Sequence, residues 1–445
     1  MSRRQLYVLI ATILGSAVVI LDGTIVNIAL PKIGQGLHAG YADFQWIVDG
    51  YLLSLSALIL LGGSLGDIYG RKKMYLLGLI GFGVSSLLCA AAPSATILIA
   101  VRVLQGVFGA LLVPGGLAII NTNFEPKLRS QAIGTWTAYT SGAALLGPLV
   151  GGSILDVASW RFIFVINIPL IILCLCFALP SAVESHDARK RHVDFSGAST
   201  AIIGLAGITY GLIEGPANKW PPSAICLLVI GAVALIFFMR IETHRKDPMV
   251  NVSLFRSRNF LGSNIMTFGM YGGLSGFMFA LIIFMQTKMH YSSLKAGLSM
   301  LPVGLLMFIF AGKVGKLSAK YGPRLFMAVG PICSAVGMAY LYFLKPGDAY
   351  ISSVLPGILI FTIGLVLTVA PLTTTVMTSV NESNSGIASG INNAVSRVAG
   401  LLVIALLGLF GSSHAYQFSM AFSALLALSA GIISFTYIRN IPLKR

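Results

Sequence analysis

Fourteen apolar runs follow one another along the 445-residue chain, each about long enough to cross a lipid bilayer, and they decide its fold class. A membrane-spanning helix needs about 20 predominantly apolar residues. Cut at clusters of charge, Pro and Gly, the sequence gives runs over 6–30, 44–66, 74–92, 95–120, 131–155, 161–181, 195–214, 222–241, 259–284, 295–317, 324–344, 351–377, 385–411 and 415–438. Within hydrocarbon each backbone N–H and C=O has to be paired inside its own segment, so runs of this length fold as helices. The expected class is an all-α integral membrane protein. A mean hydropathy of +0.87, with 56% hydrophobic and 10% charged residues, excludes a water-soluble enzyme. The first run starts behind Arg3 and Arg4 and carries Asp22 and Asn27 toward its end, which reads as a retained span and not as a cleaved signal peptide.

The net charge of +16 would suggest nucleic acid as the partner of a soluble domain. Divided among the loops it says something else. With the amino terminus in the cytoplasm, 22 of the 30 Lys and Arg fall on the cytoplasmic side, 6 on the opposite side, and Arg102 and Arg397 inside spans. Cytoplasmic loops of membrane proteins accumulate Lys and Arg, so the excess orients the chain with both termini inside. No nucleic-acid partner is expected. The five cysteines lie in apolar stretches without metal-ligand spacing, and neither a metal nor a cofactor is implied.

An internal repeat divides the chain. Gly63-x-Leu65-Gly66-Asp67-Ile68-Tyr69-Gly70-Arg71 follows the second span, and Gly315-x-Leu317-Ser318-Ala319-Lys320-Tyr321-Gly322-Pro323-Arg324 follows the tenth, with glycines at the same spacing. Two six-span halves with a hairpin inserted between them account for fourteen spans. The expected layout is an amino-terminal half over 1–181, a linker with the seventh and eighth spans over 182–258, and a carboxy-terminal half over 259–445. The most basic loops, around Arg189–Arg191 and Arg240–Arg258, flank the hairpin.

An ionised side chain at the bilayer centre costs roughly 3 kcal/mol on insertion scales, so the embedded charges are the informative ones. Asp22, Asp49 and Arg102 all fall about 8–12 Å below the outer surface at 1.5 Å per helical residue. They read either as a structural ion pair or as a proton-exchanging cluster. A charged carboxylate can hold a cation or a proton but not both, which is the minimum requirement for exchanging one against the other. Two acids against one Arg favour protons or lipophilic cations over anions. Arg397 stands in the thirteenth span with Asn392 and Asn393 one turn away, placed either to meet an anionic group or to bond backbone carbonyls. The ninth span carries Met266, Met270 and Met278 with Tyr271 and Phe277, a set that suits apolar cargo but also plain packing. Asp156 and Glu214 sit at outer span ends and read first as solvated loop residues.

Several motifs make the picture specific. The stretch Leu21-Asp22-Gly23-Thr24-Ile25-Val26-Asn27-Ile28-Ala29-Leu30-Pro31 resembles the first-span signature of the fourteen-span drug:proton antiporter branch of the major facilitator superfamily. Gly63-x-Leu65-x-Asp67-x-x-Gly70-Arg71-Lys72 resembles the superfamily's cytoplasmic loop motif, and Arg102-Val103-Leu104-Gln105-Gly106 its fourth-span motif. Gly134 followed by Gly147-Pro148-Leu149-Val150-Gly151-Gly152 resembles the fifth-span antiporter motif, and Trp160-Arg161-x-x-Phe164-x-Ile166-Asn167-x-Pro169 the entry to the sixth span. The resemblance covers essentially the whole chain. It implies a major-facilitator-like fold in the cell membrane, no catalytic residues, and alternating access. It further implies proton coupling through Asp22, Asp49 and Arg102, and a latch of Asp67, Gly70, Arg71 and Lys72 that meets a helix of the other half near Ser385. Candidate substrate contacts are Asp49, Asn392, Arg397, Met270, Tyr271 and Phe277. The expected activity is proton-coupled export of lipophilic, cationic drugs by a monomer in contact with membrane lipids. An exporter of lipids or anionic metabolites, or a non-transporting receptor, is the alternative.

Overall fold

The computed structural model describes residues 1–186, 194–245, 248–381 and 385–440. Among the described residues there are sixteen α-helices: α1 (Arg3–Leu37), α2 (Tyr41–Tyr69), α3 (Arg71–Ala91), α4 (Ala95–Asn123), α5 (Pro126–Val157), α6 (Phe162–Val165), α7 (Asn167–Ser181), α8 (Phe195–Ala217), α9 (Pro222–His244), α10 (Arg258–Thr287), α11 (Ser293–Ser299), α12 (Leu301–Tyr321), α13 (Pro323–Leu341), α14 (Leu355–Thr378), α15 (Ser385–Leu407) and α16 (Gly411–Tyr437). Among the described residues thirteen spans are long and apolar enough to cross a membrane, two of them formed by α6 with α7 and by α11 with α12. The 32-residue α5, apolar over Leu146–Val157, occupies the position of the remaining run, so each of the fourteen runs is found as helix.

Helix starts follow their capping residues. Ser2 and Gln5 form a capping box at α1, Ser94 accepts from the Ile97 amide at α4, and Ser257 accepts from the Phe260 amide at α10. The two repeat loops end alike. Gly70 and Gly322 both adopt positive φ, 110° and 90°, and a helix begins at the next residue. A side chain disfavours this backbone, which is why both repeats keep glycine there.

Contacts divide the chain into two units. The first comprises Met1–Ile208, Val229–Met249 and Ser292–Gly297, and the second Thr209–Leu228, Val250–Tyr291 and Leu298–Arg445. The hairpin is thus shared between the units, and the short segment Ser292–Gly297 groups with the first. In the first unit α2 packs on α4, α3 on α4 and α1 on α5 and α7, with Val18, Leu55, Tyr75, Leu79, Phe82 and Ile120 buried among them. In the second, α13 packs on α14 and α16, and α10 on α15 and α16. Of the apolar stretch of α9 only 11% is buried, against 67% for α10, so α9 presents its side chains outward as a lipid-contacting helix does and α10 is a core element.

Candidate functional site

A buried polar network lies within the first unit. Arg102 on α4 and Asp22 on α1 are each 1% exposed and pair directly, Nη1 to Oδ2 at 2.5 Å. The same Nη1 donates to Gln105 Oε1 (2.6 Å), and Nε donates to the Ile47 carbonyl (3.2 Å). Gln105 lies three residues beyond Arg102, hence on the same face of α4. Its amide donates to Asp22 Oδ1 (3.1 Å) and to Ser86 Oγ (2.9 Å), and Asn167 at the start of α7 donates to the same two oxygens, both at 3.1 Å. The ring of Tyr51 lies 4.3 Å from the guanidinium carbon. A buried ion pair offsets its desolvation only when the remaining polar capacity is also satisfied. Here four elements supply that satisfaction.

Asp49 is held differently. It is fully buried, and neither carboxylate oxygen has a hydrogen-bond partner among the described residues. The sequence places Asp49 at the depth of Asp22 and Arg102, yet the structure joins only the latter two. Helical geometry gives the reason. Tyr51 of α2 stacks on Arg102, and a residue two positions away on a helix is rotated by about 200°, toward the opposite side.

The loop motif forms a corner between α2 and α3. Asp67 Oδ1 accepts from Arg71 Nε (3.0 Å) and Nη2 (2.8 Å), and Arg71 Nη1 reaches Thr122 Oγ1 (3.0 Å). Glu184, from the segment after α7, accepts from the amides of Lys72 and Lys73, both at 3.0 Å, where the positive end of α3 favours an anion. The Lys72 ammonium donates to the Leu179 carbonyl (2.7 Å). At the second repeat Asn440 replaces the carboxylate, its Oδ1 accepting from the Arg324 amide (3.1 Å). Residues 382–384, before the expected latch partner near Ser385, and Arg189–Arg191 lie outside the described residues.

In the antiporter motif the glycines are contact points. A side chain at Gly147 would collide with Thr24 Oγ1 and one at Gly151 would fall 2.8 Å from Ile25, so their absence lets α5, which contains Pro148, lie directly on α1. One at Gly152 would meet the backbone of Leu294 at 2.7 Å. Asp156, at the end of the same helix, accepts from the Ser293 and Leu294 amides (3.1 and 3.2 Å) and lies 3.8 Å from Lys32 Nζ. Its carboxylate thus fastens a neighbouring backbone. Glu214 accepts from Asn218 (2.7 Å) at the exposed end of α8.

The second unit holds an uncharged network. Asn392 on α15 donates from Nδ2 to Thr267 Oγ1 (2.7 Å) and Asn264 Oδ1 (3.2 Å), both on α10. Beside it opens a cavity of about 140 Å³, whose lining includes Tyr271, Asn392, Asn393 and Ser396. Of the other sequence candidates, Met270 and Phe277 are fully buried, Phe277 against Phe361 with ring centroids 4.5 Å apart, and do not line the cavity. Arg397 is half-buried and follows Ser396 on α15. Sequence reasoning assigned no role to Gln105, Asn167, Glu184 or Thr267. The first two stand inside the quoted motifs, and that position was the available signal.

Residues 12–404 match the sequence profile of the Major Facilitator Superfamily. The chain belongs to this superfamily. This member is 32% identical over 421 residues to the puromycin resistance protein pur8 of Streptomyces alboniger, covering 93% of this chain and 83% of that one. It is 33% identical to the multidrug resistance protein Stp of Mycobacterium tuberculosis, covering 92% and 76%. To the methylenomycin A resistance protein of Bacillus subtilis it is 30% identical, covering 95% and 91%. Among solved structures its fold is similar to that of an auto-inhibited POT family peptide transporter (TM-score 0.75, 15% identity, 100% and 99% covered) and of the inward-open xylose transporter XylE from E. coli (TM-score 0.67, 14% identity, 98% and 97% covered). It is a multi-pass membrane transporter of this superfamily, not an enzyme, and its relatives are named as drug and antibiotic resistance proteins.

Proposed function

We propose that the protein is a proton-coupled exporter of lipophilic drugs, working as a monomer by alternating access in the cell membrane with both termini cytoplasmic. The observation that carries the reading is Asp49. Ionised in the enclosed position it occupies, it would be an uncompensated buried charge, so loading and unloading a proton is coupled to opening of its surroundings. Asp22 is instead engaged by Arg102, Gln105 and Asn167, and serves to hold α1, α4 and α7 together around the path. A carboxylate is the strongest partner for a cationic cargo, and an aromatic face is a weaker one. With Asp22 engaged and Asp49 enclosed, the cargo is read as lipophilic without a required positive charge. The names of the relatives support drug export.

The test is proton release on substrate binding, read with an indicator dye in weakly buffered detergent solution after adding rhodamine 6G to the purified protein. The wild type is expected to release protons, and Asp49→Asn is expected to bind the dye without release. Binding with no release from the wild type would remove proton coupling from the account.

A further inference from the structure

We propose that one face of α12 is a binding site for an anionic phospholipid, the phosphate held by Lys313, Lys316 and Lys320 and the acyl chains lying on Leu305 and Ile309. The proposal goes beyond the export reading and uses it only to name the leaflet.

The five residues form one row. Leu305, Ile309, Lys313, Lys316 and Lys320 follow one another at spacings of four, four, three and four, which on a helix stacks them within an arc of about 80°. The packed side of α12 is a different one. Its buried residues are Val314 and Ser318, about 160° around the axis from the middle of the row, and the helix packs on α14. Every member of the row is exposed, Leu305 by 51% and Ile309 by 43%. Beside the row, a side chain added at Gly312 would meet no atom within 4 Å, so there is room for a headgroup or chain to lie close to the backbone.

Charge decides the occupant. Lysines at a helix end ordinarily carry their ammonium groups toward water, and Lys320, two residues before Gly322, reaches it directly. Lys313 starts about 10 Å further along the axis, inside a segment apolar enough to span a bilayer, where a charge is costly unless an anion meets it. The protein supplies no such anion: no carboxylate among the described residues pairs with any of the three lysines. Between residues 250 and 445 the acids are Asp348, which accepts from the Lys345 amide in the loop after α13, and Glu382, which lies outside the described residues. The rings of Phe310 and Tyr321 lie 5.1 and 5.2 Å from the ammonium groups of Lys313 and Lys320. Such contacts are weak partners and do not neutralise a charge.

An anionic phospholipid supplies both things that the row lacks, a phosphate for its cationic end and acyl chains for its apolar end. The order along the helix also fits. The lysines adjoin the Gly322 corner, where headgroups lie, and Leu305 and Ile309 point the row toward the middle of the span. On the proposed orientation this is the cytoplasmic leaflet, where basic clusters meet anionic headgroups. A small soluble anion would match the lysines and leave the apolar end uncovered. A zwitterionic lipid would cover that end but bring its own positive charge to the lysines.

The experiment is native mass spectrometry of the full-length protein in detergent with phosphatidylglycerol or phosphatidylcholine of identical acyl chains, with no substrate and no pH gradient. Its outcome therefore does not depend on proton-coupled export. The wild type is expected to bind phosphatidylglycerol about tenfold more tightly than phosphatidylcholine. Lys313→Gln/Lys316→Gln/Lys320→Gln should bring the two lipids within about twofold of each other, and Lys316→Gln alone should give an intermediate preference. A control with the same loss of charge elsewhere, Arg3→Gln/Lys73→Gln/Arg240→Gln, should keep the wild-type preference for the tightest-bound lipid. Melting temperatures should be alike in all four proteins, since the six substituted side chains are exposed. A phosphatidylglycerol preference that survives the triple lysine substitution, or that falls equally in the control, would overturn the site. Displacement of the lipid by glycerol 1-phosphate at equal phosphate concentration would overturn it as well, because the row would then read phosphate alone.

Discussion

In the first unit Arg102 closes on Asp22 and is enclosed by Gln105, Asn167 and the ring of Tyr51, whereas in the second Asn392 closes on Asn264 and Thr267 without a formal charge in the network. The repeat corners differ in the same sense, Glu184 capping α3 after Gly70 and Asn440 capping α13 after Gly322. Two halves of one plan thus keep the same backbone devices but assign ionic chemistry to one and neutral hydrogen bonding to the other. On the proposed reading the difference separates two tasks: a unit that handles protons needs embedded charge, and a wall that admits apolar cargo does better without it, because each buried charge adds a desolvation cost that varied ligands cannot offset.

The largest effect expected from breaking this contrast is at the ion pair. Asp22→Asn leaves Arg102 buried without its anion and should cost about 3–5 kcal/mol, seen as a large drop in melting temperature, with Asp22→Leu/Arg102→Leu recovering much of it. Asn392→Leu in the other unit breaks only neutral bonds and should cost about 1–3 kcal/mol. Equal losses at the two sites would erase the distinction. Next come the corners. Gly70→Ala and Gly322→Ala force positive φ on a side chain and should each cost about 1–3 kcal/mol, and both added methyls would press on the capping group, 2.7 Å from the Glu184 carboxyl in the first case. The smallest effect expected is at the caps. Glu184→Gln should destabilise by about 0.3–1 kcal/mol, and less as salt is raised, whereas Asn440→Ala should show no such salt dependence.

The membrane-spanning plan was legible because hydropathy and helix formation have one cause in a bilayer. The runs nonetheless came out shorter than the helices: 6–30 against Arg3–Leu37 and 44–66 against Tyr41–Tyr69. Hydropathy marks the stretch that sits in hydrocarbon, and a helix with satisfied caps continues past it. The breaks between α6 and α7 and between α11 and α12 left no hydropathy signal. The pairing of Asp22 with Arg102 could be read from a common depth. The isolation of Asp49 could not, because depth follows from counting residues while direction around the helix axis follows from packing. The Asn264, Thr267 and Asn392 network escaped for a different reason: a screen for embedded charge passes over neutral amides and hydroxyls.

The central claim is that Asp49, and not the paired Asp22, carries the proton that drives export. Its most direct test is pH-gradient-driven efflux of a neutral hydroxylated dye from proteoliposomes containing Asp49→Asn, a substitution that removes no hydrogen bond seen in the structure. The account predicts folded protein with an unchanged melting temperature, dye exchange still catalysed down a dye gradient, and no response to the pH gradient. Efflux that still follows the pH gradient in Asp49→Asn would contradict it.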